Sequence, residues 1–492
     1  MDQGKTPIID ALRAFAEENR GYFNIPGHRG SRGVDPRLER LLGGNVFEAD
    51  RTETDGLDDL HLPRGVIREA QMLAAELYGS DACWFLVNGT TCANEAMILA
   101  AAGPGEKILV PRNAHKSVLM GLVLSGAGPV WYLPEKERET GLYGAVSPEV
   151  IRKKLASDPD IRAVFLVSPT YYGSCSDITA AAEAAHSYHV PLLVDEAHGA
   201  HFYFHEGFPE GAVAAGADLV AQSTHKTQGS LTQSAMLHLS GNLVSRSRVE
   251  ACLKLVQSTS PSYPLMVSLD GTRHLMAADG RNLMARAANL AHALRKSLLS
   301  VPGIEVYHCG TDGDPAEALP GFDPCRVVFS AKSRGISGHQ LQEELFRRHI
   351  TTEMADSDYV VAVVTHANTE QEIRRLCEAA REIAQKSASS PGRHAYAEDL
   401  CYTEADVPET IMRPRDAFFA PQEPVLLEEA AGRVAGEMAA PYPPGIPLIY
   451  PGERMTEEIC RRLAWCRACG IPVHGPADPG LNWFQCVKTN AK

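Results

Sequence analysis

The chain has 492 residues, of which 44% are hydrophobic, and a formal net charge of −14. At about 100–200 residues per domain, this length predicts two to four domains. The acidic balance argues against a nucleic-acid-binding protein, because such proteins usually carry a basic face. It is compatible with a protein that attracts small cationic molecules.

Neither export nor membrane insertion is predicted. The first five residues contain no basic segment followed by an apolar run, as a signal peptide would. No apolar stretch approaches the roughly 18 residues that a membrane span requires. The 12 cysteines show no paired framework. We therefore expect reduced thiols in a cytoplasmic protein.

The first half of the chain is predicted to contain an arm and an α/β domain. Residues 1–45 form the arm, with a helix over 9–18 and a Pro- and Gly-containing loop over 23–30. Apolar strands then alternate with helices. The predicted strands are 83–87, 107–110, 129–133, 163–168, 191–194 and 218–222, and the predicted helices are 91–102, 117–125 and 178–188. This alternation predicts a parallel sheet covered on both faces, with ligands beyond the carboxyl ends of its strands.

The second half is predicted to add two smaller domains. A helical stretch runs from about 275 to 299, and a smaller α/β region follows to about 388. Residues 387–392 are predicted to be a linker, and the Pro-rich stretch 441–447 an extended or turning loop. The predicted domains are therefore the arm (1–45), a large cofactor-binding domain (46–275), a small α/β domain (276–390) and a C-terminal α+β domain (393–492).

Three cysteines near the C-terminus allow two interpretations. Cys466 and Cys469 form a CxxC pair with Cys460 nearby, which is compatible with a zinc or redox site. The alternative is three thiols on or near one helix over 459–469. Because no second CxxC or CxxH pair completes a tetrahedral site, we favour the helix and predict no metal.

Two segments that follow predicted strands could bind a phosphorylated aromatic cofactor. Asn88-Gly-Thr-Thr91 offers helix N-terminal amides and the hydroxyls of Thr90 and Thr91 to a phosphate, although an ordinary helix cap is the alternative. Arg112-Asn-Ala-His-Lys-Ser117 carries His115, whose ring could stack on a flat cofactor. An ordinary helix start is the alternative there.

Two further strand ends carry an acid and a lysine. Asp195 ends an apolar strand, where a carboxylate is costly without a partner. A protonated pyridinium nitrogen would be such a partner, and an N-cap is the alternative. Lys226 follows the next strand inside Ser223-Thr-His-Lys226, where a Schiff base would explain a lysine at a buried strand end. Ser223 and His225 could then donate to phosphate, and a polar surface loop is the alternative.

The order of these segments matches the large domain of fold-type I pyridoxal-5′-phosphate (PLP) enzymes, the aspartate-aminotransferase-like fold. The chain resembles the ornithine/lysine/arginine decarboxylase family over nearly its whole length. The motifs that carry the resemblance include Pro26-Gly-His28, Gly56-Leu-Asp-Asp-Leu-His61, Ser168-Pro-Thr-Tyr-Tyr-Gly173, Asp195-Glu-Ala-His-Gly-Ala-His201, Thr259-Ser-Pro261, Ser268-Leu-Asp270, Pro414-Arg-Asp-Ala-Phe-Phe419, Pro441-Tyr-Pro-Pro-Gly-Ile-Pro447 and Pro451-Gly-Glu453.

The resemblance implies a role for each site residue. Lys226 would form the internal aldimine and Asp195 would pair with the pyridine nitrogen. His115 would stack on the ring, and His198 would lie near the ring hydroxyl and the substrate carboxylate. The phosphate would be held by Thr90, Thr91, Ser223 and His225, and by Thr259 of a neighbouring subunit. The resemblance thus implies a homodimer or a larger homo-oligomer with active sites at the interface.

The chain also departs from the family pattern. Arg29 stands where Lys usually follows Pro-Gly-His, which keeps the charge but changes its geometry. The segment before Phe23 has no room for the N-terminal wing domain of enterobacterial members. We therefore expect the short form, without the decamer-type assembly.

The predicted reaction is α-decarboxylation of a basic amino acid to carbon dioxide and a diamine or polyamine precursor. Lysine or arginine is favoured over ornithine as the substrate. Another fold-type I reaction, such as aminotransfer, and a catalytically inactive binding relative are the alternatives. For the distal cation of the substrate we predict Glu453 as the partner, because burying a cation requires a carboxylate or carbonyl. A glutamate near the start of the helix at Thr456 is the structural alternative.

Overall fold

A computed structural model of the chain describes residues 1–18, 21–137, 140–307, 321–386, 407–442 and 445–488. The helices in these ranges are α1 (Pro7–Glu17), α2 (Pro36–Leu42), α3 (Gly44–Ala49), α4 (Val66–Tyr78), α5 (Gly89–Ala101), α6 (Lys116–Ser125), α7 (Pro148–Ser157), α8 (Ile178–His186), α9 (Thr224–Thr227), α10 (Arg246–Val256), α11 (Tyr263–Leu299), α12 (Gly338–Arg347), α13 (Glu370–Lys386), α14 (Pro414–Phe419) and α15 (Glu457–Cys469). The strands are β1 (Ala82–Leu86), β2 (Lys107–Pro111), β3 (Gly128–Tyr132), β4 (Ile161–Val167), β5 (Leu192–Asp195), β6 (Leu219–Gln222), β7 (Ala235–Leu239), β8 (Glu305–Val306), β9 (Arg326–Ser330), β10 (Met354–Ala355), β11 (Val360–Val363), β12 (Gln422–Leu426), β13 (Ala440–Pro441), β14 (Val473–His474) and β15 (Trp483–Val487).

The predicted strands and helices between residues 83 and 222 are confirmed, with ends that differ by no more than two residues. The helix predicted from about 275 was placed too late, because α11 begins at Tyr263. Pro264 occupies its second position, where the missing amide proton costs no helical hydrogen bond. The predicted linker at 387–392 and part of the Pro-rich stretch, residues 443–444, lie outside the described residues.

The chain divides into two compact units, and the first comprises Met1–Ala100, Leu193–His205 and Glu210–Leu283. In it β5 pairs with β6 in parallel, β6 pairs with β7 antiparallel, and β7 pairs with β1 antiparallel. The apolar core includes Ile67 of α4, Phe85 of β1 and Leu269 of α11. Both β5 and β6 are buried along their whole length, as expected for strands of a covered sheet.

The second unit comprises Ala101–Leu192, Glu206–Pro209 and Met284–Lys492. In it β2 pairs in parallel with β3 and with β4. A separate antiparallel sheet has the order β10-β11-β9-β8, and β12 with β15 and β13 with β14 form two smaller sheets. One core lies among α11, α12 and α13, and another packs α15 against β15 through Leu463 and Phe484. The α/β class predicted from the sequence is therefore confirmed.

No helix in the described part of the chain is long and apolar enough to cross a membrane.

The ten cysteines within the described ranges are all free thiols, with Cys460 and Cys466 buried on α15 and Cys469 exposed at its end. The predicted helix over 459–469 is thus confirmed, because α15 covers it.

Candidate active site

Lys226 lies beyond the carboxyl end of β6, on the short helix α9, and its side chain is half-buried. Its Nζ is 2.9 Å from Nε2 of His198, which is itself buried. Since Nε2 can accept a hydrogen bond from an ammonium only when it carries no proton, the contact couples the protonation of the two groups. The structure therefore brings together the lysine and the histidine that the sequence singled out.

Asp195 is the last residue of β5 and is buried. Its Oδ2 accepts a hydrogen bond from Nδ2 of Asn94 at 2.8 Å, and its Oδ1 accepts one from the backbone amide of Ala197 at 3.1 Å. Asp195 is thus held in place by α5 on one side and by its own turn on the other.

Asn94 was missed by sequence reasoning. It lies on α5, five residues after Gly89, and only 1% of its surface is exposed. The available signal was an amide side chain inside a mostly apolar helix, since a buried polar group needs a hydrogen-bond partner.

The segments proposed to bind phosphate meet at the start of α5. The Oγ1 of Thr90 is 3.0 Å from Oγ of Ser223, and Thr91 follows in the first turn. Gly89 begins the helix at φ +71°, a conformation that residues other than glycine rarely adopt. Two hydroxyls and the N-terminal amides of a 13-residue helix form a donor set suited to an anion.

The hydrogen bonds of His225 restrict its ability to donate to a phosphate. Its Nδ1 donates to the carbonyl oxygen of Ser234 at 2.7 Å, and burial lowers the pKa of its imidazole. In the neutral ring Nε2 therefore has no proton. His225 can donate to a phosphate through Nε2 only when an anion favours the protonated ring.

Two other predicted residues have distinct environments. Thr259 is exposed on the first unit. His115 lies in the second unit as the N-cap of α6, where its Nδ1 accepts from the amide of Ser117 at 3.2 Å. His115 thus stands at a helix start, as the alternative interpretation has it, and its stacking on a cofactor stays a prediction.

Glu453 is fully buried in the second unit, with 1% of its surface exposed. Its Oε1 accepts from Nη1 of Arg112 at 2.5 Å, and its Oε2 accepts from the amide of Tyr450 at 2.9 Å. Burial raises the pKa of its carboxyl, and the Arg112 guanidinium opposes that rise. Both oxygens are therefore engaged within the chain, an environment that neither interpretation of the sequence foresaw.

Glu196, next to Asp195, is a second carboxylate that sequence reasoning missed. Its oxygens accept from the amide of Ala212, the hydroxyl of Tyr203 and Nε2 of Gln222, each at 2.7 Å. Burial raises its pKa to about 7, against the effect of these hydrogen bonds. Because Gln222 ends β6, this network fixes the end of β6 to the residue that follows β5.

The residues of the first unit fit PLP group by group. The phosphate is matched by the hydroxyls and amides at the start of α5, the pyridine nitrogen by the Asp195 carboxylate, and the aldehyde by the amine of Lys226. The hydrogen bond from Asn94 orients the Asp195 carboxylate. This gives the carboxylate the fixed geometry that pairing with a ring nitrogen requires.

Comparisons with known proteins agree with this arrangement. A family model described as Orn/Lys/Arg decarboxylase, major domain, matches residues 6–372, and one described as Orn/Lys/Arg decarboxylase, C-terminal domain, matches residues 397–470. An arginine decarboxylase of Bacillus subtilis (strain 168) is 39% identical over 489 residues, which cover 99% of this chain and 99% of that protein.

Two solved structures share the fold. The crystal structure of the Francisella novicida lysine decarboxylase LdcF has a TM-score of 0.83 at 21% identity and covers 98% of this chain and 81% of that one. A structure of SPT with PLP has a TM-score of 0.52 at 18% identity and covers 77% and 83%, respectively. These similarities confirm the predicted α/β fold with a mostly parallel sheet.

Proposed function

The chain belongs to the Orn/Lys/Arg decarboxylase family, and from this membership we propose that it removes the α-carboxyl group from a basic amino acid with PLP as its cofactor. The observation that carries the proposal is the 2.9 Å contact between Lys226 and His198. Lys226 follows β6, which pairs with β5, the strand that ends at Asp195. A lysine paired with an imidazole next to an oriented carboxylate is the side-chain set that PLP chemistry needs.

PLP, when bound, supplies an electron sink for the electron pair that departing carbon dioxide leaves at Cα. Lys226 would hold the cofactor through its ε-amine. Asp195 would keep the ring nitrogen protonated, and Asn94 keeps that carboxylate in position. Thr90, Thr91, Ser223 and a protonated His225 would bind the phosphate. His115 would bind the ring by stacking, as the family resemblance implies.

Decarboxylation consumes one proton at Cα for each carbon dioxide released, so the site must contain an acid. Lys226 and His198 are proposed as that acid, because their nitrogens lie within hydrogen-bond distance of each other, at 2.9 Å. General acid catalysis requires a group within hydrogen-bond reach of the atom that it protonates. Lys226 would meet this condition, because its ε-amine would hold the cofactor at which the substrate reacts.

Arginine is proposed as the preferred substrate, because the Bacillus subtilis relative, identical at 39% of positions, is named arginine decarboxylase. The net charge of −14 is compatible with attraction of a cationic substrate. Glu453, the predicted partner of the distal cation, is buried and its charge is paired with Arg112, so the proposal does not assign the distal cation to it.

The working unit is proposed to be a homodimer or a larger homo-oligomer. Thr259 is exposed, as expected if its partner is the phosphate bound in a neighbouring subunit. Sedimentation at assay concentration checks this point. A fully active monomer would contradict it.

The test of the function is product analysis without a keto acid. The purified protein is incubated with PLP and, separately, with arginine, lysine and ornithine. We expect one carbon dioxide and one amine per substrate consumed, with arginine turned over fastest. Aminotransfer would instead require a keto acid and release no carbon dioxide. A colourless protein that binds no PLP would refute the enzymatic function altogether.

A further inference from the structure

Arg112 follows directly after β2, three residues before His115, and its side chain is fully buried. Its Nη1 donates to Oε1 of Glu453, and its Nη2 donates to the carbonyl oxygen of Leu448 at 3.2 Å. These partners lie more than 300 positions further along the chain, within residues 397–470, which the C-terminal family model matches. The end of β2 is therefore attached to the C-terminal domain by a buried ion pair.

Two aromatic rings contact the guanidinium of this ion pair. The guanidinium carbon of Arg112 is 4.9 Å from the ring centroid of Trp131 and 4.8 Å from that of Tyr450. The two rings stack on each other with centroids 4.4 Å apart. A planar guanidinium can make both hydrogen bonds and contact both rings, which a lysine ammonium cannot reproduce. The attachment thus has a single, well-defined geometry.

The other end of α6 is held by the same domain. Arg415, on α14, donates through Nη1 to the carbonyl oxygens of Val123 and Leu124 at 3.2 and 2.8 Å. These carbonyls belong to the last turn of α6, where cations are favourable. The C-terminal domain therefore contacts the stretch 112–125 at its beginning and at its end.

We propose that the C-terminal domain positions His115 for PLP by holding both ends of this stretch. His115 is the N-cap of α6, and its ring is oriented by the Ser117 amide in the first turn. Arg112, Glu453 and Arg415 are then positioning residues that act through His115. The inference rests on the proposed function in one respect, namely that His115 faces the cofactor. It also accounts for Glu453, a buried acid whose oxygens are engaged within the chain.

Hydrogen exchange measured on the holoenzyme tests the attachment directly. Arg415→Ala alters an exposed side chain and should leave the fold intact. We expect its amides over residues 112–125 to exchange about tenfold faster, since a local opening then has fewer contacts to break. Glu453→Gln should act in the same direction. The matched control is Arg454→Ala, which removes contacts with Glu409 and Gly432 within the C-terminal domain only.

A double-mutant cycle on PLP affinity tests whether the effect passes through His115. The dissociation constant for PLP is measured on the apoproteins by fluorescence, and visible circular dichroism reports the environment of the bound ring. Arg415→Ala should weaken binding by roughly fivefold to tenfold, and His115→Ala by at least as much. The double variant should bind no more weakly than His115→Ala, because residues that act as one unit are non-additive.

The two measurements separate the possible failures. Unchanged exchange over residues 112–125 in both Arg415→Ala and Glu453→Gln would overturn the attachment. Additive losses of PLP affinity would show that the C-terminal residues act without His115 and would also overturn the inference. If His115→Ala alone leaves PLP affinity and the visible spectrum unchanged, the stacking role in the proposed function fails. The exchange rates still decide whether the domain holds the stretch.

Discussion

The strand ends of the first unit and the C-terminal segment of the second each contain a buried carboxylate, Asp195 and Glu453. Asp195 is oriented by the neutral donors Asn94 and Ala197, so no cation of the chain neutralises it in the hydrogen bonds described above. Glu453 is paired with the guanidinium of Arg112. The first arrangement keeps a negative charge for a ligand, whereas the second uses the charge within the protein.

This difference explains why a buried acid alone does not identify a binding site. Both carboxylates follow apolar segments, and both are costly to bury without partners. What separates them is the partner: neutral amides stabilise a carboxylate without cancelling its charge, and a guanidinium cancels it. We therefore expect a direct effect on catalysis at Asp195, and effects on stability and on the positioning of His115 at Glu453.

The largest expected effect is at Asp195. Asp195→Ala should lower the turnover of arginine by on the order of 10²–10³, the range seen when a preorganised electrostatic partner is removed. Circular dichroism and thermal melting should show a folded protein. Turnover close to that of the unmodified enzyme would remove the role assigned to this carboxylate.

The second prediction concerns the stability of the ion pair. Glu453→Ala should lower the free energy of unfolding by about 3–5 kcal/mol, because the buried Arg112 would lose its counter-ion. Denaturation in urea measures the change. The matched control is Glu458→Ala on α15, whose pairs with Arg461 and Arg462 are partly exposed and worth about 0–1 kcal/mol.

Substrate preference gives the complementary result for Glu453. The ratio of kcat/KM for arginine to that for a neutral amino acid should not change in Glu453→Gln, assayed at a temperature where it is folded. A selective loss of the basic substrate would instead support the original prediction that Glu453 binds the distal cation.

A smaller effect is expected at Asn94, which touches the functional carboxylate but not the cofactor. Asn94→Ala should lower kcat by about tenfold, since a hydrogen bond to a charged group is worth roughly 1.5–3 kcal/mol. Asn282→Ala is the matched control, because Asn282 donates to Asp279 in an exposed pair on α11. Equal activity of the two variants would contradict the orienting role of Asn94.

The smallest effect is a dependence of stability on pH from Glu196. Burial raises its pKa in the folded chain from the ordinary value of 4.5 to about 7, so the folded state binds the proton more tightly. The associated stability is present at low pH and is lost as the pH rises through 7. Relative to Glu196→Gln, the unmodified protein should lose about 1 kcal/mol between pH 6 and 8. Parallel pH profiles of the two proteins in urea would contradict this.

Local patterns in the sequence were sufficient to locate the candidate site at the strand ends of the first unit, but not the ion pair of the second unit. The contacts of Lys226 with His198 and of Thr90 with Ser223 follow from strand ends that the apolar pattern located. Asn94 and Glu196 were missed because their importance depends on burial. The pairing of Arg112 with Glu453 spans 341 positions, and no local pattern reports a contact of that separation.

Reduction with borohydride determines which lysine carries PLP. The holoenzyme is reduced, digested with a protease, and its PLP-labelled peptides are identified by mass spectrometry. We expect one labelled peptide, with the modification on Lys226, and no label in Lys226→Ala. Label on another lysine in the unmodified enzyme would contradict the assignment of Lys226.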